Sequence, residues 1–338
     1  MAFYLGLIFI ATASAFACYM LAKLAPDLEL MANPDRLRQH KKPIPVVGGL
    51  AIYVALLLSF IALDQSLGLL LPSLLIMCAV GALDDRYSLP PWVRFLAQAV
   101  AAYIMIKFTG VKLESLGGLV SFEKDVYLGA WSIPITIFAV VGVINAINMS
   151  DGLDGLAASL VVLVLIALIV AGSSLKSVLL ISIAAISGFL IFNLRLWREQ
   201  ALVFLGDGGS MMLGILVAFL LIQHSQHPIG FWPVTALWIL ALPLIDAVAV
   251  LIVRPLTGRS PFAADHNHYH HQLLKRGFSA NMVLFIVLLS QSAFVVIGIV
   301  MFRLRVAEPF QLCLFLAVFF CYLVYLYFSI SKQAKMSD

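Results

Sequence analysis

The sequence predicts an all-α polytopic membrane protein of about eleven transmembrane helices, amino terminus periplasmic and carboxyl terminus cytoplasmic. Composition predicts the class: of 338 residues, 63% are hydrophobic and 11% charged, with a mean hydropathy of +1.05, whereas a soluble domain carries about 25% charged residues. Segmentation predicts the helices, because the apolar residues fall in blocks of roughly 20, the length that crosses a hydrocarbon core about 30 Å thick. Charge placement predicts the orientation, since basic residues gather on the inner side of a membrane.

Between charged or Pro/Gly-rich breaks the blocks run 3–24, 46–64, 67–83, 92–108, 131–148, 156–172, 176–194, 210–224, 232–253, 281–302 and 310–330. The first is too long for the apolar core of a signal peptide and has no basic segment before it, so it reads as a retained span. The blocks 67–83 and 210–224 are short for a full crossing and suit helices that are tilted, broken or buried in protein. The segment 109–130 alternates apolar and polar residues around Gly117-Gly118, the pattern of a small hairpin. Cys18, Cys78, Cys313 and Cys321 all lie in apolar blocks without a C-x-x-C pair, as small buried hydrophobes do. No repeat or separate soluble segment is visible, and residues 1–338 read as a single membrane domain.

With the amino terminus outside, Arg36, Arg38, Lys41, Lys42, Arg86, Arg195, Arg198, Arg254, Arg259, Lys275, Arg276, Lys332 and Lys335 fall inside. Only Lys107, Lys112, Lys124, Lys176, Arg303 and Arg305 remain outside. The same assignment brings Asp84, Asp85, Asp151, Asp154, Asp207 and the histidines between His266 and His271 to the cytoplasmic face, although it was not chosen for that. Convergence of distant polar residues on one face is what an active site requires.

Each motif has its own chemistry. Asp84-Asp85 follows an apolar block, and adjacent carboxylates at a membrane boundary are tolerated best beside a cation; Arg94 and Gln98 lie on the next block. Asn145, Asn148, Asp151 and Asp154 recur every third residue, which places two amides and two carboxylates near one helical face, oxygen donors of the kind Mg²⁺ or Mn²⁺ prefers. Gly152 and Gly155 permit close backbone approach. Phe204-Leu-Gly206-Asp207-Gly208-Gly209-Ser210 is a glycine-rich turn into a helix, able to offer N–H groups to phosphate, with Asp207 needing a metal beside an anion. The longest inner loop, 254–277, holds Arg254, Arg259, His266, His268, His270 and His271. Its spacing lacks the pairing of a zinc site and suits phosphate or diphosphate. Lys41 or Lys42, before Pro43-Ile-Pro45-Val-Val-Gly48-Gly49, is a candidate for a further phosphate contact. Asp246, inside a block, is by default functional or paired, with an inner arginine as one partner.

Taken together, Arg36 to Gly49, Asp84-Asp85 with Arg94-Phe95 and Gln98, Asn145 to Leu156, Phe204 to Ser210, and Ser260 to His271 resemble the polyprenyl-phosphate N-acetylhexosamine-1-phosphate transferases (glycosyltransferase family 4), most of all the WecA-like branch. The resemblance implies an eleven-span helical fold in the bacterial inner membrane with a cytoplasmic site. It implies transfer of a UDP-linked N-acetylhexosamine-1-phosphate, GlcNAc first, to undecaprenyl phosphate with release of UMP, starting lipid-linked surface glycans such as O-antigen. It implies a Mg²⁺ or Mn²⁺ cofactor at Asp207 and Asn148. Asp84 and Asp85 handle the lipid phosphate with Asp151 as a further catalytic carboxylate, Arg94 lies close by, and Asn145 belongs to the substrate site. Asp154 and Phe204 correspond to uracil contacts, and His268, His270 and His271 to diphosphate and sugar contacts. Nucleic acid has no place in it, and a homodimer is compatible with it.

There are departures. His268-Tyr-His270-His271 replaces the His-His-His-Phe-Glu of the related muramoyl-pentapeptide transferases, which argues against a peptidoglycan precursor. Ser88 stands where a third acidic residue is common, and Leu256 where an arginine is expected, leaving that part to Arg254 or Arg259. GalNAc or FucNAc donors are alternatives within the same reaction. A secondary transporter and a lipid-binding scaffold are rivals from other classes, although transporters place their charges near the bilayer midplane on broken helices.

Overall fold

The structure, a computed structural model, describes residues 1–33, 42–63, 67–119, 124–195, 198–258, 260 and 267–337, with side chains to residue 331. Lys41, Arg259 and His266 therefore lie outside the described residues, as do Arg36, Arg38 and His40. The helices are α1 (Ala2–Leu24), α2 (Gly48–Ala62), α3 (Leu71–Tyr87), α4 (Pro91–Thr109), α5 (Ser132–Met149), α6 (Leu156–Val170), α7 (Lys176–Asn193), α8 (Gly206–Ser225), α9 (Pro233–Ile239), α10 (Ala241–Leu256), α11 (Tyr269–Lys275), α12 (Ala280–Arg303) and α13 (Glu308–Ser337). Strands β1 (Met31–Ala32) and β2 (Ile44–Pro45) pair antiparallel, with Met31 opposite Pro45 and Ala32 opposite Ile44.

The protein is an all-α polytopic membrane protein. Among the described residues six helices are long and apolar enough to cross a membrane: α1, α5 with the turn before it, α7, α8, α12 and α13. A seventh crossing arises if the bent pair α9–α10 counts as one, and α2 and α6 are shorter apolar helices. Every apolar block expected from the sequence coincides with a helix or with that pair. Two boundaries move. Helix α3 continues through Asp84-Asp85, so these acids sit on its last turn and not in a loop after it. Their carboxylates find partners there, and Ser88, at φ 52°, ends the helix in the left-handed region. Helix α8 starts at Gly206, so Asp207 belongs to its first turn.

Helix α8 is the axis of the molecule and is buried along almost its whole length. It packs against α2, α3, α5, α6 and α9, while α1 and α13 expose large apolar side chains. Lipid tails are as apolar as these side chains, so close helix approach depends on small residues. A Cβ on Gly81 would lie 2.2 Å from Gly208 N, and one on Gly49 would lie 2.3 Å from Gly209 N. Farther along, a Cβ on Gly214 would lie 2.6 Å from Ile144 Cα. Backbone therefore meets backbone at the start of α8, and the ends of α2, α3 and α5 converge there.

Two backbone devices hold that arrangement. The segment before α2 zips to the segment before α8: Phe204 N donates to Pro45 O at 2.8 Å, Gly48 N to Phe204 O at 3.0 Å, and Gly49 N to Leu205 O at 3.0 Å. The Pro-x-Pro-x-x-Gly-Gly run is thus a docking strip for the glycine-rich turn. Between α9 and α10 the chain bends by 83°, which frees backbone groups that membrane interiors cannot solvate. The buried Gln291 of α12 satisfies them, with Nε2 donating to Ile239 O at 2.7 Å and Oε1 accepting from Leu242 N at 2.9 Å.

At the opposite end, Leu116 N donates to Val126 O and Val126 N to Gly117 O, both at 2.9 Å, an antiparallel pairing in keeping with the alternation. Gln226 pins it to the end of α8 by accepting from Glu114 N and Ser115 N.

Candidate active site

Four carboxylates meet at the start of α8. Asp84 accepts from Arg94 Nη1 at 2.9 Å and from Leu89 N at 2.7 Å, and it lies within hydrogen-bond reach of Asp207. Asp85 faces the first turn of α8, accepting from Asp207 N at 3.1 Å and Gly208 N at 3.4 Å. The first amides of a helix have no partner within it and carry partial positive charge. Asp85 takes up two of these amides, where the sequence suggested phosphate. Asp207 Oδ1 accepts from Asn148 Nδ2 at 2.6 Å, and the same amide donates to Ser210 Oγ at 2.9 Å. Asp151 lies in the turn after α5; burial and the charges of Asp207, Asp85 and Asp154 push its carboxyl well above the usual carboxylate range.

The Asn145–Asp154 stripe divides. Asn148 and Asp151 join the acids, whereas Asn145 Nδ2 donates to Gln98 Oε1 at 2.7 Å, and Gln98 in turn contacts Met211 Sδ. Asp154 turns the other way: its Oδ2 accepts from Arg195 Nε at 2.7 Å and Ala201 N at 2.9 Å. The reason is that α5 ends at Met149, so the three-residue spacing no longer keeps side chains on one face beyond it. Buried Asn193 completes this wall, accepting from Gly155 N at 2.8 Å and donating to Val203 O at 2.9 Å. Arg195 and Asn193 were not singled out from the sequence. A single arginine among inner-loop charges and a single asparagine in an apolar block carry no distinctive pattern.

The histidine run is partly helical: His270 and His271 lie in the first turn of α11 and His268 is the residue before it. Asp246 does not anchor an arginine among its described bonds. It accepts from Tyr269 N at 2.9 Å and Tyr322 Oη at 2.5 Å, and lies 2.8 Å from His268 Nδ1. His270 packs on the Asp151 turn, where a Cβ on Gly152 would lie 2.2 Å from its Nε2. Arg254 lies within the last turn of α10 and is buried, and is not part of the loop that follows. Phe204 sits half-buried at the docking strip, and Lys42 is exposed beside β2.

Could these residues hold a divalent cation? Among the described residues, no three His, Cys, Asp or Glu side chains close around one point. A full protein cage is therefore absent from that set. Mg²⁺ asks for less: one or two protein oxygens, with water and substrate phosphate completing the octahedron. Asp207 and the carboxamide of Asn148 are adjacent, and the surrounding carboxylates disfavour each other's charge. The donor set fits such an ion.

A family described as glycosyl transferase family 4 matches residues 67–225. The undecaprenyl-phosphate alpha-N-acetylglucosaminyl 1-phosphate transferase of Yersinia pestis is 33% identical over 328 residues, covering 94% of this chain and 89% of its own. The protein of the same name from Escherichia coli K12 is 34% identical over 314 residues, with 89% and 84% covered. That of Haemophilus influenzae is 31% identical over 328 residues, with 93% and 92% covered.

Proposed function

Because the chain belongs to glycosyl transferase family 4, we propose that it transfers N-acetylglucosamine-1-phosphate from UDP-GlcNAc to undecaprenyl phosphate and releases UMP. The observation that carries this reading is the meeting of Asp84, Asp85, Asn148, Asp151 and Asp207 at the start of α8. A phosphate oxygen of the lipid forms a bond to the β-phosphorus of the donor. The bond from that phosphorus to the bridging oxygen breaks, and UMP leaves with the oxygen. A phosphate monoester has its second pKa near 6, so the nucleophile is largely dianionic at neutral pH and needs little help from a base.

Catalysis then rests on positioning and charge neutralisation. Asp207 and Asn148 would hold Mg²⁺ or Mn²⁺, which would offset phosphate charge. Arg94 holds Asp84 in place and brings positive charge to the lipid-phosphate side. Asn145, fixed by Gln98, belongs to the substrate site, and Asp154 and Phe204 form the nucleoside side. Arg254, with Lys41, Lys42 and Arg259 from segments outside or at the edge of the described residues, supplies positive charge toward the diphosphate, and the histidines supply hydrogen-bonding nitrogens. The same reading has one domain of eleven crossings in the bacterial inner membrane, with this site on the cytoplasmic face.

The test is UMP release by the purified protein with undecaprenyl phosphate and Mg²⁺ or Mn²⁺ across UDP-GlcNAc, UDP-GalNAc and UDP-FucNAc. Release that requires the lipid and is fastest with UDP-GlcNAc is the expected result. Release only with another donor would overturn the sugar assignment. No release with any donor, together with equilibrative uptake into proteoliposomes, would replace the enzyme with a transporter.

A further inference from the structure

Beyond the acidic cluster, a second buried polar assembly sits where α10, α11 and α13 meet. Asp246, His268 and Gln272 are all at most 6% exposed there. A buried carboxylate is costly in an apolar setting unless it is hydrogen-bonded. Asp246 has three partners: the backbone N–H of Tyr269, the hydroxyl of Tyr322 and Nδ1 of His268. The backbone N–H can only donate. A carboxylate already taking that bond and one from a phenol is an acceptor, so the proton between it and the imidazole belongs on Nδ1. An imidazole with its proton on Nδ1 leaves Nε2 as its other hydrogen-bonding atom.

The assembly reaches the site in two further steps. The ring of His270 stacks on that of His268, with centroids 6.0 Å apart and planes 4° from parallel. His270 in turn packs on Gly152, next to Asp151. On the outer side, one face of α13 supports α11: Tyr322 meets Tyr269 edge-on at 6.3 Å, Tyr325 accepts from Arg276, and Ser329 Oγ donates to Gln272 Oε1 at 3.2 Å. Residues 322, 325 and 329 recur at the spacing of one helical face. Anchoring of this kind, in which a carboxylate fixes the tautomer and tilt of a histidine, is what metal and acyl-transfer sites use to hold a functional imidazole.

We propose that Asp246 and Tyr322 are positioning residues that fix His268 with its proton on Nδ1 and its Nε2 presented to the UDP-sugar. The role rests on the transferase reading, but its structural half does not need turnover. The first measurement is the ¹⁵N spectrum of histidine-labelled protein in detergent, with His268 assigned by its loss in His268→Gln. A protonated Nδ1 and unprotonated Nε2 in the resting protein are expected, with the signal becoming a mixture in Asp246→Asn. An Nε2-protonated ring in the wild type would overturn the proposal, and an inactive wild type with the expected spectrum would count against the transferase reading alone.

The second measurement is a double-mutant cycle on UMP release. Tyr322→Phe removes one oxygen and keeps the ring, so the fold survives. Its kcat is expected to fall about 3- to 10-fold, as loss of a hydrogen bond to a charged group would give, with the donor KM changed less than twofold. In a His268→Gln background the same change should have no further effect, because its target is gone. Equal losses from Tyr322→Phe in both backgrounds would show that Tyr322 acts only on packing and would overturn its positioning role.

Discussion

Replacing Gly81 by alanine separates geometry from stability at the acidic cluster. The added Cβ would stand 2.2 Å from Gly208 N, 2.3 Å from Gly208 Cα and 2.4 Å from Asp207 C. These are backbone atoms, so no rotamer change relieves the clash. Reaching an ordinary carbon contact of about 3.5 Å requires α3 and α8 to part by about 1.2 Å. Two opposing effects act on stability. Overpacking costs about 1–3 kcal/mol, and replacing glycine within a helix returns about 1 kcal/mol, leaving a loss of roughly 0–2 kcal/mol. Activity has no such offset. Asp84 and Asp85 ride on the next turn of α3, and a displacement of about 1 Å in a positioned group costs about 10²-fold in rate. Gly81→Ala should therefore remain folded in detergent, by fluorescence-detected melting, while UMP release falls about 10²-fold. Gly142→Ala on α5 is the control, since a Cβ there meets nothing within 4 Å, and its rate should stay at the wild-type level. A Gly81→Ala protein with kcat within threefold of wild type would refute the claim that this contact sets the site.

Asp207→Ala should lower kcat at least about 10²-fold, whereas Asp84→Asn should keep measurable activity; wild-type rates for Asp207→Ala at limiting Mg²⁺ would remove Asp207 from the metal site. The raised carboxyl of Asp151 gives a linkage of definite sign. The folded state holds a proton that the unfolded state loses near pH 4, so metal-free protein should lose stability as pH rises above that value. Added Mg²⁺ should then raise the melting temperature more at pH 8 than at pH 5, and an equal or reversed difference would contradict it. Arg195→Ala leaves Asp154, itself well buried, with one of its two donors. A loss of about 2 kcal/mol is expected, together with a higher KM for the UDP-sugar; an unchanged KM would detach Asp154 from the nucleoside side.

The sequence made the helices legible because apolar blocks and their breaks follow directly from the solvent. It also made the motif clusters legible, since carboxylates and glycines at membrane boundaries are conspicuous against apolar surroundings. What it concealed depends on three-dimensional closure. Periodicity suggested one face for Asn145, Asn148, Asp151 and Asp154, but helix α5 stops at Met149 and Asp154 swings to Arg195. The glycine-rich turn looked ready for phosphate, yet its first amides are occupied by Asp85 from another helix. Tyr322 was invisible because an aromatic residue in an apolar block is ordinary. Gln291 is an ordinary polar residue in a long span until the break it repairs, 49 residues away for its bond to Leu242, is seen.

The Asp84-Asp85 pair shows how closure changes a mechanistic question. From sequence the two carboxylates are equivalent neighbours, and either could serve as a base. In the fold they have different surroundings. Asp84 is held by Arg94 and Leu89 N and lies beside Asp207, so it faces the centre of the cluster. Asp85 is turned to the first amides of α8, where the helix dipole supplies partial positive charge. A carboxylate engaged in capping stabilises the start of α8, and that start carries Asp207. Under the proposed reaction the two acids would divide the work: Asp85, bonded to the first amides of α8, would fix the helix that presents Asp207, and Asp84 with Arg94 would set the charge near the phosphates. Substitution at Asp85 should accordingly act through Asp207, lowering Mg²⁺ affinity along with rate, whereas substitution at Asp84 should leave Mg²⁺ affinity largely intact. Isothermal titration of Mg²⁺ into Asp85→Asn and Asp84→Asn distinguishes the two, and equal loss of affinity in both would show that the pair acts as one unit.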